Sequence, residues 1–148
     1  MGVAAVWDKR KGLDDIVELS KQIEDQIIVV GVSEEQKRLL PEKICAYTRT
    51  NSIEELRIIY AIADVFVNPT YEDNYPTTNL ESIACGTPVI TYETGGSGES
   101  AKLYGSVVQK GNTAGMIESV NKLPFLTKHG DTYNIRKEAA VIEYLSLY

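Results

Sequence analysis

The sequence predicts a parallel α/β fold, a layered sandwich in which helices cover both faces of a sheet of about six strands. Two observations predict it. Short β-branched runs alternate along the chain with segments whose apolar residues recur at helical spacing. The junctions between them carry glycine, proline or helix-capping residues.

The elements follow in order. "GVAAV", residues 2–6, reads as a buried strand, and Trp7 just past it as a packing residue. Leu13, Ile16, Val17, Ser20 and Ile23 recur at helical spacing. "QIIVVGV", residues 26–32, is a β-branched run containing a glycine, as expected of a buried parallel strand. "SEEQKRLL" is a short helical piece stopped by Pro41, and "KICAYT" is the third strand. Ser52 offers an N-cap with Glu55 three residues on, a capping box, and Ile53, Leu56, Ile59, Tyr60 and Ala63 form the helix face behind it. "DVFVNP" is the fourth strand. Pro76 suits the first turn of a helix that runs to Cys85 and is closed by Gly86. "TPVITY" is the fifth strand, "GGSGESAKLY" holds a short helix, and "GSVVQK" is the sixth strand. Met116, Ile117, Val120 and Leu123 give the next helix, and a final helix is expected from about Ile135 to Leu147. Alternation of this kind means βα units and a Rossmann-like three-layer α/β/α sandwich. Ligands of such sheets sit at the carboxyl ends of the strands. The polar stretch from Asn68 to Ser97 supplies two of those ends.

Bulk properties bound the function. The 148 residues suit one domain or one half of a larger enzyme. A net charge of −6 argues against a nucleic-acid partner, which would need a basic face. Cys45, Cys85 and the single histidine, His129, are not at metal-ligand spacing, so unlinked thiols in a reducing cytoplasm are expected. No apolar run approaches the ~20 residues of a membrane span, and no signal peptide opens the chain. The first strand begins almost at Met1, so an N-terminal portion is expected to be missing.

Three constellations carry chemistry. In "TYEDNYPTTNLES", Glu72 and Asp73 occupy a loop. The backbone N–H groups of Thr77, Thr78 and Asn79 open a helix, where orphan donors and the dipole suit phosphate oxygens. Glu81 lies about one turn further in, within reach of sugar hydroxyls. The plain alternative is a solvated first turn whose acid complements the dipole. In "TYETGGSGES", Gly95, Gly96 and Gly98 permit close backbone approach and lead into another helix; the alternative is a flexible turn. In "WDKRKG", Lys9, Arg10 and Lys11 follow the first strand; they either neutralise a diphosphate or form a solvated basic cluster. No G-x-G-x-x-G follows the first strand and no Walker-type motif occurs, which disfavours a nicotinamide-dependent dehydrogenase.

These residues, taken together, resemble a family. The run "ADVFVNPTYEDNYPTTNLESIACGTPVITYETGGSGES" is similar to the C-terminal half of family-4 retaining glycosyltransferases, which have the two-domain GT-B architecture. Its hallmark is two acids separated by seven residues, then a run of the type A-C-G-x-P-V-I, then a Gly-Gly. Asp73 and Glu81 have that separation, and "IACGTPVI" and "TGGS" follow in order. With "RKGLDDIVEL" the resemblance covers most of residues 3 to about 123. It implies that Asp73 and Glu81 are the two acids of the reacting site. Asp73 would lie near the donor sugar, and Glu81 would bind the ribose hydroxyls. Backbone at Thr77 to Asn79 would hold the diphosphate, with Gly95 and Gly96 beside it. Lys11, aided by Lys9 and Arg10, would neutralise it, and the segment Tyr47 to Thr50, with Arg49, would lie against the base. No cofactor or metal is implied, since protein cations and a helix N-terminus serve the leaving diphosphate.

The sequence departs from the family at two points. The first acid is usually Glu; here it is Asp73, with Glu72 as the alternative in a shifted alignment. The family's arginine, five residues before its lysine, is replaced by Val6. The resemblance further implies a nucleotide-sugar donor. A glycan or lipid-linked acceptor would be held by an absent N-terminal domain, and work would be cytoplasmic, peripheral at the inner membrane face, in bacterial surface-polysaccharide assembly. The alternative reading is a non-catalytic nucleotide-binding module.

Overall fold

The computed structural model describes residues 1–128; the loop with His129 and the helix expected over about 135–147 lie outside the described residues. Strands and helices alternate: β1 (Gly2–Val3), α1 (Leu13–Gln22), β2 (Ile27–Val30), α2 (Glu34–Leu39), β3 (Ile44–Tyr47), α3 (Ile53–Ile62), β4 (Phe66–Asn68), α4 (Thr77–Ala84), β5 (Val89–Tyr92), α5 (Ser97–Leu103), β6 (Gly105–Val108) and α6 (Thr113–Lys128). Every strand pairing is parallel. The strands form two three-stranded sheets, β1-β2-β3 and β4-β5-β6, with Val30 opposite Tyr47 and Tyr92 opposite Val108. The two meet along β1 and β4: the Met1 α-amino group donates to the Val65 carbonyl at 2.7 Å, and the Val67 N–H to the Met1 carbonyl at 2.7 Å. The spatial order is therefore 3-2-1-4-5-6, and the direction of winding reverses between β1 and β4. That crevice is where open α/β sheets take their ligands.

Strand alternation divides the core in two. Ile27, Val29, Val67, Ile90 and Tyr92 pack toward Ile16 and Leu19 of α1 and Met116 and Val120 of α6. Val30, Phe66 and Val89 pack the other way, toward Ile59 and Tyr60 of α3, Ile83 of α4 and Ala101 of α5. Burial on both faces explains why the strands read as continuous β-branched runs rather than alternating ones. Each fully buried aliphatic side chain contributes roughly 1.5–3 kcal/mol.

Three local expectations are corrected. β1 ends at Val3 rather than at Val6, which is 67 % exposed. The Ala4 N–H still reaches the Val30 carbonyl, but Trp7 folds back and its indole N–H donates to that same oxygen at 2.9 Å, so the chain turns away from the sheet. On α3, Ile53 is 74 % exposed, because the first residue of the helix rotates clear of the core that Ile59 and Tyr60 enter. The capping box there is half formed. The Ser52 hydroxyl accepts from the Glu55 N–H, while the Glu55 carboxylate takes the backbone and side-chain N–H groups of Asn51. A complete box instead starts α2, where Ser33 and Gln36 bond reciprocally. No described helix is long and apolar enough to cross a membrane.

Candidate functional site

Because β1 and β4 are neighbours, the loops that leave their carboxyl ends run side by side. They are bonded together. The Tyr71 N–H donates to the Arg10 carbonyl at 2.6 Å, and the Thr70 hydroxyl lies between that carbonyl and the one of Glu72, at 3.3 and 3.1 Å. Gly12 permits the approach: its φ is 70°, and a Cβ there would stand 2.3 Å from the Pro69 carbonyl oxygen. The consequence is an ion pair across the switch point, with Lys11 Nζ 2.5 Å from Asp73 Oδ2. Asp73 is turned inward, its side chain 15 % exposed. Glu72 is exposed; its carbonyl accepts the Thr70 hydroxyl, and its charge acts on Arg10. The geometry brings Lys11 to Asp73, not to Glu72.

The other two cations are placed differently. Arg10 is exposed and donates through Nε and Nη2 to Asp8 Oδ2, at 3.0 and 2.8 Å. The second Asp8 oxygen accepts the N–H groups of Arg10 and Lys11, at 2.9 and 3.2 Å. The Arg10 bond holds the Asp8 carboxyl below its usual range, and Asp8 raises the guanidinium in turn. Arg10 thus serves the turn at Asp8 and shapes the presentation of Lys11. Lys9 is exposed, on the wall of a cleft of 860 Å³ that Trp7, Gln36 and Tyr71 also line. An apolar cavity of 360 Å³ at the amino ends of the strands, lined by Ile16, Leu19, Ile27 and Val120, is remote from this chemistry.

Helix α4 opens at Thr77, with Pro76 as an N-cap that lacks a side-chain hydrogen bond. Proline thus stands one place before the helix rather than inside its first turn. Asn79 departs from expectation. Its N–H donates to the Pro76 carbonyl at 3.1 Å, which leaves Thr77 and Thr78 to present the orphan N–H groups. Its side chain is fully buried: Oδ1 accepts from Asn68 at 2.8 Å, and Nδ2 donates to the Ser97 hydroxyl at 3.1 Å and the Ser100 hydroxyl at 2.9 Å. Asn79 therefore ties β4, α4 and α5 together instead of facing a ligand. Thr77 is exposed and Thr78 half-buried.

Gly95 and Gly96 lie against the acid loop rather than open to a ligand. Gly95 has φ 44°, and a Cβ there would be 2.0 Å from the Asp73 carbonyl; one on Gly96 would be 2.2 Å from the Asn74 carbonyl. The Gly96 N–H already donates to that Asn74 carbonyl at 2.7 Å. Gly95→Ala is therefore expected to destabilise the protein clearly more than Gly111→Ala. Gly111 also has a left-handed φ, 76°, but its Cβ would meet only the Tyr71 ring at 3.8 Å. It should show the left-handed cost alone, about 1–2 kcal/mol. Equal losses in thermal melts of the two variants would show that Gly95 does not seat the loop.

Glu81 lies half-buried on α4, and one of its oxygens accepts the Tyr60 hydroxyl at 3.1 Å. Tyr60 is buried and edge-on to Phe66, with ring centroids 5.5 Å apart. Burial, then the Glu81 charge, pushes its hydroxyl far above the usual tyrosine range, so it stays a donor. Arg49 is exposed and Thr50 half-buried beyond the end of β3, the outer strand; among the described residues no hydrogen bond or ion pair joins either to Lys11, Asp73 or Glu81.

Sequence reasoning missed two partners. Tyr60 was placed on a packing face, with nothing local to link it to Glu81. Asp15, on the first turn of α1, is buried, and its Oδ1 collects three hydroxyls: Thr113 at 2.6 Å, Tyr92 at 2.8 Å and Tyr71 at 3.3 Å. The Tyr71 and Tyr92 rings meet edge-on, 5.3 Å apart. Burial raises both phenols, and Asp15 adds to it. An acid in a first turn reads as a dipole partner, which is why its convergence with three distant hydroxyls carried no sequence signal.

A doubly wound sheet thus brings a cation, a carboxylate and a helix N-terminus to its switch point, the crevice where open α/β sheets take their ligands. The chain belongs to the family described as glycosyl transferases group 1, whose sequence model matches residues 1–124. It is 33% identical over 95 residues to the alpha-galactosylglucosyldiacylglycerol synthase of Streptococcus pneumoniae, a match covering 55% of this chain and 25% of that protein. Its fold is similar to that of a glycosyltransferase from Rickettsia africae, with a TM-score of 0.78 at 20% identity over 98% of this chain and 42% of that one. It is likewise similar to sucrose-phosphate synthase from Thermosynechococcus elongatus, with a TM-score of 0.73 at 23% identity over 99% of this chain and 44% of that one. The chain thus spans a quarter to under half of the length of these relatives.

Proposed function

We propose that this chain is the donor-binding half of a GT-B glycosyltransferase, and that the whole enzyme moves a sugar from a nucleotide-sugar to an acceptor with retention. One observation carries the reading: the Lys11–Asp73 pair at the β1/β4 crevice, beside the opening turn of α4 and on the same loop–helix unit as Glu81. In this reading the donor diphosphate lies over the N–H groups of Thr77 and Thr78 and draws Lys11 from Asp73. Charge that develops on the leaving diphosphate then meets donors already in place. Asp73 sits at the sugar, and the Glu81 carboxylate, oriented by Tyr60, accepts from the ribose hydroxyls. No metal or cofactor is required. The acceptor, a glycan or lipid-linked glycan, belongs to an N-terminal domain outside this chain, in bacterial surface glycoconjugate assembly at the cytoplasmic face of the membrane. The name of the pneumococcal relative, a glycolipid synthase, supports a lipid-linked acceptor for the whole enzyme.

A second reading, a binding module without catalysis, is favoured by one observation: Val6 stands exposed where the family has arginine, while Arg10 is committed to Asp8. Calorimetric titration with UDP, GDP and ADP tests the site common to both readings. At least one nucleotide is expected to bind, with Glu81→Ala weakening it by about 10–100-fold, the equivalent of losing hydrogen bonds to a charged group. Glu81→Gln, which keeps an acceptor for Tyr60, serves as the folding control. Equal binding by wild type and Glu81→Ala would remove Glu81 from the site. Transfer or hydrolysis by the full-length enzyme separates the enzyme from the module.

A further inference from the structure

The acid loop is bonded to the segment that bears Lys11, and a buried carboxylate outside the Asp73–Gly96 stretch takes part in that link. Asp15 stands on α1, four positions after Lys11, with its carboxylate turned into the protein. One of the three hydroxyls on its Oδ1 belongs to Tyr71, two residues before Asp73. The Tyr71 N–H donates in turn to the Arg10 carbonyl, next to Lys11. Asp15, Tyr71 and Arg10 therefore form a bridge that starts on α1, just after the loop bearing Lys11, crosses to the loop bearing Asp73, and returns to the residue beside Lys11. The remaining two hydroxyls, from Tyr92 at the end of β5 and Thr113 at the start of α6, fix the carboxylate from below. A carboxylate oxygen that accepts three donors is tied to three elements at once, and moving it away would cost all three hydrogen bonds; the Tyr92 and Thr113 hydroxyls also lie 3.2 Å from each other.

We propose that Asp15 is a positioning residue for the donor site: through Tyr71 it sets the register between the Lys11 loop and the Asp73 loop. The proposal rests on the donor-binding reading for its consequence in affinity, but not for its consequence in loop order. The three donors on one oxygen supply their own controls. Tyr71→Phe removes the only one that belongs to the acid loop. Tyr92→Phe and Thr113→Val remove the others and leave that link intact.

The test compares wild type, Asp15→Ala, Asp15→Asn, Tyr71→Phe, Tyr92→Phe and Thr113→Val by two readouts on the same preparations. The first is amide hydrogen exchange of the segment 70–75, which needs no ligand. The second is the dissociation constant for UDP, GDP or ADP, whichever wild type binds, with the melting temperature recorded for each variant. Expected are exchange in 70–75 at least threefold faster in Asp15→Ala and Tyr71→Phe, and nucleotide affinity at least fivefold weaker in both. Asp15→Asn, which keeps an acceptor oxygen, should recover most of the loss. Tyr92→Phe and Thr113→Val should lower the melting temperature while leaving both readouts within twofold of wild type. If loop exchange and affinity track the melting temperature alone across all five variants, Asp15 is merely structural and the proposal falls. If wild type binds none of the nucleotides, the donor-binding reading fails on its own. Exchange in 70–75 then decides: selective loss in Asp15→Ala and Tyr71→Phe upholds the positioning role, and uniform loss overturns it.

Discussion

Asn79→Leu is expected to lower the free energy of unfolding by about 3–5 kcal/mol, a large share of the roughly 5–15 kcal/mol that a domain has. The reason is the number of groups that depend on one carboxamide. Asn79 is fully buried and fills its site with hydrogen bonds to Asn68, Ser97 and Ser100. Leucine has the same branched arrangement of heavy atoms but a larger volume, so no cavity opens; the loss is polar, and overpacking adds to it. The Asn68 side-chain N–H, also buried, loses its acceptor, and such an orphan costs about 1–3 kcal/mol. The Ser97 and Ser100 hydroxyls keep one partner each, Thr91 and the Ser97 carbonyl, and lose the other. Chemical denaturation measures the difference. Adding Asn68→Leu should return part of the loss, because replacing both partners costs less than orphaning one; the double-mutant cycle should show 1–3 kcal/mol of coupling, within the ~0.5–3 kcal/mol typical of contacting residues. A single-variant loss below about 1 kcal/mol would mean that the α4–α5 junction is held by packing alone.

Asn79 also shows where sequence reading stopped. It occupies the third position of the helix, where its backbone N–H was expected among the orphan donors for a phosphate, and that N–H bonds to the Pro76 carbonyl instead. The helix itself was legible because its signals are local: Pro76 at one end, Gly86 at the other and apolar residues between. The strands were legible for the same reason, and their parallel pairing followed from alternation with helices. Asp73 and Glu81 were singled out by their spacing within one loop–helix unit. Lys11 was singled out by its place after a strand and by the resemblance, while its ion-pair partner lies 62 residues away. Side-chain direction was not legible. Nothing local says that the Asn79 carboxamide turns into the protein while Thr77 stays outside, or that Arg10 turns to Asp8 while Lys11 turns to Asp73. The glycines illustrate the same limit. Their conformational freedom is visible in the sequence, but the group that approaches Gly95, the Asp73 carbonyl, is known only from the fold. Asp15 and Thr113, 98 residues apart, meet because α6 returns to the face that carries α1.

In the isolated 148-residue chain, where Met1 carries a free α-amine, stability is expected to fall between pH 8 and pH 5 because that amine is buried. The Met1 α-amino group lies inside the β1/β4 junction and donates to the Val65 carbonyl at 2.7 Å. Burial disfavours its charged form and lowers its pKa from 8.0 to about 5, with the Asp64 carboxylate opposing the shift. The sign follows from proton counting. Between these two values the unfolded chain holds a proton that the folded chain lacks, so acid favours unfolding. The contribution is fully present above pH 8, fades as pH falls toward 5, and changes no further below that. Three pH units at ~1.36 kcal/mol each amount to about 4 kcal/mol. Urea denaturation at pH 8, 6.5 and 5 measures it, in protein whose mass shows Met1 retained and in which His129, the single histidine of the sequence, is replaced by glutamine. Adding one residue ahead of Met1 converts the amine to an amide that cannot titrate but still has an N–H for Val65. The extended chain should lose most of the slope across this range, whatever its absolute stability. An unchanged slope would place the titrating group elsewhere and would mean that the junction between the two three-stranded sheets admits a charged amine.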